Sequence, residues 1–284
     1  MPLILTNLVP QFFEFWDAAA GRPRADQLAL WNAYVAANPL VLDDVARFGK
    51  ADAFDPNATL DAYPALIERI RCNADRIEPW LQQAAADVTG AVAEPELPLR
   101  CVALVGLNRS FGWVSAHGDH AQLFVPIELI GDDIEAGIVA RHEMAHLAQI
   151  GLGGSEWLRD ERLGLLLYSE GYAPLLTCEI WPQVPMSQHI SIFGGQDEWY
   201  ADALAAVPGA ARRLAGLLEV EDHATLATYF AAGAPSNLPE RIGYLVGVRV
   251  LQELRERYSW RELAGFSTER ALDETRRTLA ALTG

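Results

Sequence analysis

The sequence predicts an α+β fold that is mostly helical and contains a small mixed or antiparallel sheet. Apolar residues recur at helical intervals over most of the N-terminal and C-terminal thirds of the chain. Between them lie short segments rich in β-branched residues, which are typical of strands. We therefore expect one unit over residues 1–284, with an N-terminal helical lobe (1–95), a central region of sheet and helices (96–195) and a C-terminal helical lobe (196–284).

The N-terminal region, from about residue 8 to residue 90, has helical patterns that are interrupted three times. The interruptions are Gly21-Arg22-Pro23, Asn38-Pro39 and Asp55-Pro56-Asn57. Gly, Pro, Asn and Asp favour turns over helix interiors, so we expect several separate helices. A linker, Glu94 to Pro98, then leads into the predicted strands.

Two segments of the central region have the composition of strands. Leu99 to Leu107 is apolar with partial alternation, and Gln122 to Ile127 predicts a second strand. Residues 111–115, between them, are consistent with a further strand. His117-Gly118-Asp119-His120 resembles a metal-ligand cluster, but its glycine suits a turn and no further ligands follow at useful spacing. We interpret it as a turn.

The next segment predicts a long helix that carries the motif Arg141-His142-Glu143-Met144-Ala145-His146. Asp132 and Glu135 have the spacing of an N-terminal capping box, and apolar residues then recur at helical intervals. Three glycines within residues 151–154 follow, and glycine is common where a helix ends. The motif should therefore lie in the middle to last part of a mostly buried helix.

The motif His142-Glu143-x-x-His146 has the spacing of a zinc site. Residues four apart share a helix face, so His142 and His146 can offer two imidazole nitrogens to one metal ion. Glu143 lies one step round the helix, where it can act as a general base without being a ligand. The alternative is a pair of core histidines beside an exposed glutamate. Burying two histidines without partners is costly, whereas a metal ion would satisfy both.

Glu170 is the predicted third ligand of the metal ion. It follows the apolar run Leu163 to Tyr168, and a lone carboxylate in such a setting needs a partner. We expect Ser169 to be the N-cap of a second helix that runs toward Trp181, with Glu170 in its first turn. In the alternative interpretation, Glu170 only interacts favourably with the N-terminal dipole of that helix.

The C-terminal region, from about Gln196 to Leu282, is helical by pattern. Breaks are predicted at Pro208-Gly209 and at Gly233-Ala234-Pro235, and a further helix is expected to begin near Pro239. His189 and His223 are expected at the surface, although His189 follows the predicted zinc helices and could instead border the cleft.

The two zinc-site segments resemble those of the gluzincin branch of the zincin metallopeptidases. The similarity is carried by His142-Glu143-Met144-Ala145-His146 and Glu170-Gly171-Tyr172-Ala173. More closely, the chain is similar to a bacterial domain-of-unknown-function family of predicted Zn-dependent proteases. That family shares the strand-rich segment before the motif and a later helix that contains Gly243-Tyr244-Leu245-Val246-Gly247. The resemblance covers roughly residues 60–255 and implies a zincin-like core, one Zn²⁺ per chain and peptide-bond hydrolysis.

The resemblance also implies roles for residues outside the ligand set. Gluzincins often use a Tyr, His or Arg to stabilise the oxyanion, so Tyr244 and Arg241 are candidates for this catalytic role. A core tyrosine and a surface arginine are the alternative. In zincins a strand at the cleft pairs with the extended substrate. Gly112 and Trp113 are the corresponding substrate-binding candidates, although an ordinary hairpin strand explains them equally well.

The expected function is a zinc-dependent metallopeptidase with Glu143 as the general base. Two alternatives remain open at this stage. One is a zincin-fold binding or scaffold protein that keeps zinc for stability, and the other is a zinc hydrolase of a non-peptide amide or ester. The presence of Glu143, which a structural site does not need, counts against the scaffold.

Composition restricts the partners and the compartment. The formal net charge of −16 disfavours nucleic acid and anionic membranes as partners, and the resemblance implies a peptide or protein substrate. No apolar run is long enough for a transmembrane span, and the N-terminus lacks the features of a signal peptide. The 3 cysteines are far apart and odd in number, as in a reducing compartment, so we expect a cytoplasmic protein of undetermined oligomeric state.

Overall fold

The computed structural model describes residues 3–43, 45, 54–192, 194, 196–233 and 237–283. These residues are mostly helical and include a small mixed sheet, which confirms the α+β class. The chain forms two compact units, each assembled from separate segments of the sequence. The sheet unit comprises Pro2–Ala85 and Pro98–Ala140, and the helical unit comprises Ala86–Leu97 and Arg141–Gly284.

The sheet has four strands in the order β1-β2-β4-β3. β2 pairs in parallel with both β1 and β4, and β3 pairs antiparallel with β4, so the sheet is mixed. The three strands expected from the sequence are present, and Gly118, at a φ of 63°, forms the predicted turn between the last two. The strands are β1 (Leu3–Asn7), β2 (Leu99–Leu104), β3 (Trp113–His117) and β4 (His120–Pro126).

Strand β1 was not expected from the sequence. Its five residues alternate between half-buried and exposed positions, so they lack the continuous apolar character of a buried parallel strand. Its partner in the sheet, β2, is distant in the chain, with Leu5 opposite Cys101. A local sequence pattern does not encode that pairing.

The helices of the N-terminal region are separated at all three predicted interruptions. They are α1 (Val9–Ala19), α2 (Arg24–Ala37), α3 (Pro56–Ala74) and α4 (Ile77–Ala91), with a short 3₁₀ helix at Pro39–Leu42. Large aromatic side chains form much of the core of the sheet unit. Phe12, for example, makes edge-to-face contacts with Tyr34 and Tyr63.

Helix α5 (Asp133–Gly153) carries the His-Glu-x-x-His motif. The Asp132 carboxylate accepts hydrogen bonds from the backbone N–H groups of Ile134 (2.8 Å) and Glu135 (2.9 Å), as expected of an N-cap. The Glu135 carboxylate accepts from the N–H of Gly131 (2.7 Å), one residue before the position of a standard capping box. The helix ends at Gly153, within the glycine-containing segment 151–154 where the sequence predicts its end.

The helical unit contains the remaining helices. They are α6 (Leu163–Ile180), α7 (Met186–Ser191), α8 (Asp197–Leu214), α9 (His223–Phe230), α10 (Ile242–Arg255), α11 (Trp260–Ala264) and α12 (Thr268–Thr283), and a 3₁₀ helix at Ser155–Leu158 precedes them. The predicted break at Pro208-Gly209 is wrong, because α8 continues through Pro208. Buried apolar residues on both sides of this proline, such as Val207 and Ala211, offset the lost hydrogen bond. Of the second predicted break, Ala234 and Pro235 lie outside the described residues.

Helix α6 also differs from the expectation. Arg162, not Ser169, is the N-cap, so Ser169 and Glu170 lie in the middle of one helix rather than at the start of a second. The apolar run that precedes Ser169 belongs to the same helix, which is buried along most of its length. Pro174 lies inside α6, where it leaves the carbonyl of Glu170 without its usual helical donor.

Helices α6 and α10 pack backbone against backbone at two glycines. A Cβ atom added at Gly171 would overlap the backbone of Gly247, and one added at Gly247 would overlap the carbonyl oxygen of Leu167. This contact fixes the part of α6 that holds Glu170 against α10, which carries Tyr244.

Gly247→Ala should therefore lower the free energy of unfolding by about 1–3 kcal/mol or more, because the added methyl group forces the two backbones apart. Chemical denaturation of both proteins measures the change. The matched control is Gly209→Ala in α8, where a Cβ atom meets no atom within 4 Å. This control should be neutral or should stabilise the protein by up to about 1 kcal/mol, because Ala favours helix over Gly. Equal effects of the two substitutions would contradict the close packing.

Candidate metal centre

The imidazole rings of His142 and His146 meet on one face of α5. Their Nε2 atoms lie 3.0 Å apart, and the two rings are nearly perpendicular. This arrangement follows from the four-residue spacing, which places the two side chains one above the other on the helix.

Glu170 reaches the same point from α6. Its Oε2 lies 3.4 Å from Nε2 of His142, and its Oε1 lies 3.6 Å from Nε2 of His146. Among the His, Cys, Asp and Glu residues that the structure describes, these three form the one group whose ligand atoms converge, all within 4.8 Å of one another. The structure therefore brings together the three predicted ligands, although they lie on two helices.

The spacing of the three ligand atoms fits a zinc ion. Zinc binds His nitrogen and carboxylate oxygen at about 2.0–2.1 Å, so neighbouring ligands of a tetrahedral site lie about 3.3–3.4 Å apart. The observed separations of 3.0, 3.4 and 3.6 Å bracket this value. In addition, Oε2 of Glu170 is buried and accepts no hydrogen bond from the described residues. A cation would satisfy this oxygen.

The charge states of the three residues also suit a cation. Burial lowers the pKa of His146 to about 4, which leaves its imidazole neutral at pH 7, the form that binds metals. Burial alone would raise the pKa of Glu170, but the two histidines outweigh it and lower the pKa to about 2. Burial lowers the pKa of His142, but Glu170 outweighs this effect and the net shift is upward. Glu170 thus stabilises a positive charge at His142. A bound metal ion would supply that charge in place of the proton.

Ser169 and Gln149 orient His146 from the side opposite to the ligand cluster. The Ser169 hydroxyl lies 2.9 Å from Nδ1 of His146 and donates a hydrogen bond to Oε1 of Gln149 (3.0 Å). Because its proton is directed to Gln149, the hydroxyl oxygen accepts from Nδ1–H of His146. The other ring nitrogen, Nε2, then directs its lone pair at the cluster, as a metal ligand requires.

Sequence reasoning missed this pair of supporting residues. Ser169 precedes Glu170 directly, and Gln149 lies three residues after His146 on α5. That spacing places Gln149 beside His146 on the helix, so it is a signal that could have identified the amide. The role of Ser169 depends on α6 being continuous, which the sequence did not reveal.

Ser169→Ala should weaken zinc binding by about 10- to 100-fold, the scale for losing an outer partner of a ligating histidine. Competition with a chromophoric chelator measures the affinity. Ser187→Ala is the matched control, since it removes a serine hydroxyl elsewhere in the helical unit, one that is buried and donates to Asp197 at 3.2 Å. The control should bind zinc as the wild type does. Equal zinc affinity in all three proteins would contradict the role of Ser169.

Glu143 and Tyr244 lie close to the ligands. Burial lowers the pKa of His142 and Glu170 raises it, and these are the two larger effects. The charge of Glu143 raises this pKa further. Burial, reinforced by Glu170, raises the pKa of Tyr244 well above its usual value, so its hydroxyl remains a hydrogen-bond donor. Interaction with the Tyr244 hydroxyl contributes to the low pKa of Glu170, after the larger effects of the histidines. The structure thus places Tyr244 near Glu170, one of the three predicted metal ligands.

Arg241 is the N-cap of α10 and has a left-handed backbone conformation, with a φ of 57°. Its Nη1 donates to the carbonyl oxygens of Ser191 (3.2 Å) and Ile190 (3.4 Å) at the end of α7. Its positive charge opposes protonation of His142, although burial and Glu170 affect that pKa more. Arg241 therefore lies near the cluster, with part of its guanidinium engaged by backbone carbonyls.

Gly112 and Trp113 belong to the sheet unit. Gly112 precedes β3, which is at an edge of the described sheet and forms a hairpin with β4. Trp113 is 5% exposed, its ring stacks on Phe124 and its Nε1 donates to Asp43 (2.9 Å). Substrate binding by this segment stays a prediction.

His189 was expected at the surface, and this prediction is wrong. Its side chain is only 1% exposed, and its Nε2 lies 3.3 Å from the carbonyl oxygen of Trp181. Burial lowers the pKa of His189 to about 4, so the ring is neutral at pH 7. The short helix α7 folds this residue inward, which its proline-rich surroundings did not indicate. His223, at the start of α9, is exposed as expected.

Comparison with known proteins adds no family to these observations. A scan against protein-family models and searches of curated proteins and of solved structures found no match. In the part of the chain that the structure describes, no helix combines the length and apolar composition needed to cross a bilayer.

Proposed function

We propose that this protein is a zinc-dependent metallopeptidase with a zincin-like core, acting in the cytoplasm on a peptide or protein substrate. The observation that carries the proposal is the convergence of His142, His146 and Glu170 at the separations of a tetrahedral zinc site, with Glu143 next to a ligand on the same helix. Three protein ligands leave one position of such a site for water or substrate, which distinguishes catalytic from structural zinc.

The chemistry divides between the metal ion and the side chains around it. When bound, zinc supplies a Lewis acid that lowers the pKa of a coordinated water toward neutrality and polarises the substrate carbonyl. Glu143 accepts a proton from the attacking water and returns it to the leaving amine. Tyr244, which stays protonated, donates a hydrogen bond to the oxygen on which negative charge develops. Ser169 holds His146 in the ligating tautomer.

Incubation of the zinc-loaded protein with a defined peptide library, followed by mass spectrometry of the products, tests this function. We expect cleaved peptides that disappear when a chelator removes the metal and return when zinc is restored. Cleavage confined to small non-peptide amides or esters would identify a different zinc hydrolase. Zinc binding that raises stability without any hydrolysis would identify a structural site and contradict the proposal.

Tyr244→Phe should lower kcat by about ten- to a thousand-fold, the scale for losing one oxyanion donor, with zinc binding and thermal stability nearly intact. Steady-state kinetics per zinc-loaded molecule measures the effect. The matched control is Tyr172→Phe in α6, which removes a buried hydroxyl that has no hydrogen-bond partner among the described residues. It should leave kcat unchanged. If Tyr244 is only a core residue, Tyr244→Phe will instead lower stability without changing kcat.

A further inference from the structure

A cavity of about 230 Å³ lies next to the start of α10 and opens to the surface of the helical unit, where Ala232 and Glu240 are exposed. It is smaller than the pockets of about 300–1,000 Å³ that hold drug-sized ligands, and it has room for one amino-acid residue rather than an extended strand. Its lining combines a cation, an aromatic ring and small polar groups: Ser191, Gln196, Trp199, Ala232, Glu240 and Arg241.

Arg241 is the cation of this cavity, and its guanidinium is held in place. The two backbone carbonyls at the end of α7 accept hydrogen bonds from Nη1. In the part of the chain that the structure describes, no carboxylate forms an ion pair with this guanidinium, in contrast to Arg162, which pairs with three carboxylates. The remaining N–H groups of Arg241 are therefore donors for a ligand.

The position of Arg241 relates the cavity to the candidate metal centre. Arg241 is the N-cap of α10 and Tyr244 lies three residues later, in the first turn, so both side chains project from the same end of this helix. A substrate that Arg241 binds by one end would therefore lie at the same end of α10 as Tyr244.

We propose that the cavity beside Arg241 binds the free α-carboxylate of a peptide substrate, and that the enzyme is a carboxypeptidase that removes the last residue. This inference rests on the proposed function, since it names the substrate class of the same site. The guanidinium fork matches a carboxylate in a bidentate geometry, which a lysine would not reproduce.

The other lining residues disfavour a terminal residue that is itself acidic. Glu240 contributes a second carboxylate to the wall, and its Oε1 accepts from the N–H of Gly233 (2.9 Å). This negative charge disfavours a ligand with more than one carboxylate. Trp199 donates its Nε1 proton to the carbonyl oxygen of Glu240 (3.2 Å), so its ring is available to contact the side chain of the terminal residue.

Binding to the zinc-loaded Glu143→Gln protein tests the inference without turnover. A library of N-acetylated peptides is prepared in three forms: with a free C-terminal carboxylate, with a C-terminal amide, and with an amide plus a terminal Asp or Glu. Isothermal titration should show that the free acids bind about tenfold or more tightly than both amide forms, the scale of a charged hydrogen bond. In the double variant with Arg241→Gln, this preference should disappear.

Equal affinity for acids and amides would overturn the inference, even if the Arg241 variant did not fold. A preference for amidated peptides that end in Asp or Glu would overturn it as well, because the carboxylate would then come from a side chain. An acid preference that survives Arg241→Gln would show that another group binds the carboxylate.

Turnover by the wild-type enzyme separates this inference from the proposed function. Release of single C-terminal residues from free acids, and not from amides, would support both. Cleavage of internal bonds in acids and amides alike would leave the peptidase in place and overturn the carboxypeptidase. If no peptide is cleaved, the proposed function fails, while an acid preference in the titrations would still support a carboxylate site at Arg241.

Discussion

Glu143→Gln is expected to retain zinc and the native fold while lowering kcat for peptide hydrolysis by at least about 10²- to 10⁴-fold, the contribution of a positioned general base. The substituted amide keeps the size of the side chain but cannot accept the proton of the attacking water. Zinc content, thermal stability and steady-state kinetics are measured on the same preparation. Zinc content and thermal stability should match the wild type, because Glu143 is not one of the three predicted metal ligands.

Glu156→Gln is the matched control for this prediction. Glu156 is an exposed glutamate of the helical unit, in the 3₁₀ helix that follows α5. Its substitution makes the same change of net charge without altering the centre, so kcat should stay at the wild-type value. A Glu143→Gln protein with near-wild-type kcat would show that the base lies elsewhere.

The second large effect concerns Glu170. Glu170→Ala should weaken zinc binding by more than about 100-fold, since the loss of a ligand exceeds the 10- to 100-fold effect of losing an outer partner. The purified variant should therefore contain little zinc, whereas the wild type should contain close to one zinc per chain. Elemental analysis and chelator competition measure the two quantities.

Glu161→Ala provides the control, because Glu161 is an exposed carboxylate just before α6. It should bind zinc like the wild type. If Glu170→Ala kept wild-type affinity and Glu161→Ala lost it, the ligand set derived from the geometry would be incorrect.

The two histidine ligands of the candidate metal centre could be predicted from the sequence, because helical periodicity determines their relative positions. The four-residue spacing of His142 and His146 places both rings on one face of any helix, whatever the rest of the fold. Glu170 was identified because a carboxylate in an apolar segment requires a partner. These two arguments do not depend on tertiary structure, so they give the three residues that converge.

Features that depend on contacts between distant segments could not be predicted. Strand β1 is held in the sheet by its pairing with β2, which is distant in the chain. The continuity of α6 was missed because Ser169 favours N-caps in isolation, while burial of the surrounding apolar residues determines its actual position. The hydrogen bonds that link Gln149, Ser169 and His146 required both helices in place.

Zinc titrated into the metal-free protein, with cleavage of the peptide library followed at each step, tests the central claim most directly. The account predicts that cleavage is absent without the metal, rises in proportion to bound zinc and stops rising at one zinc per chain. It also predicts that Glu143→Gln binds zinc with the same stoichiometry and cleaves nothing. Cleavage that persists in the metal-free protein, or wild-type protein that binds one zinc and cleaves no peptide, would contradict it.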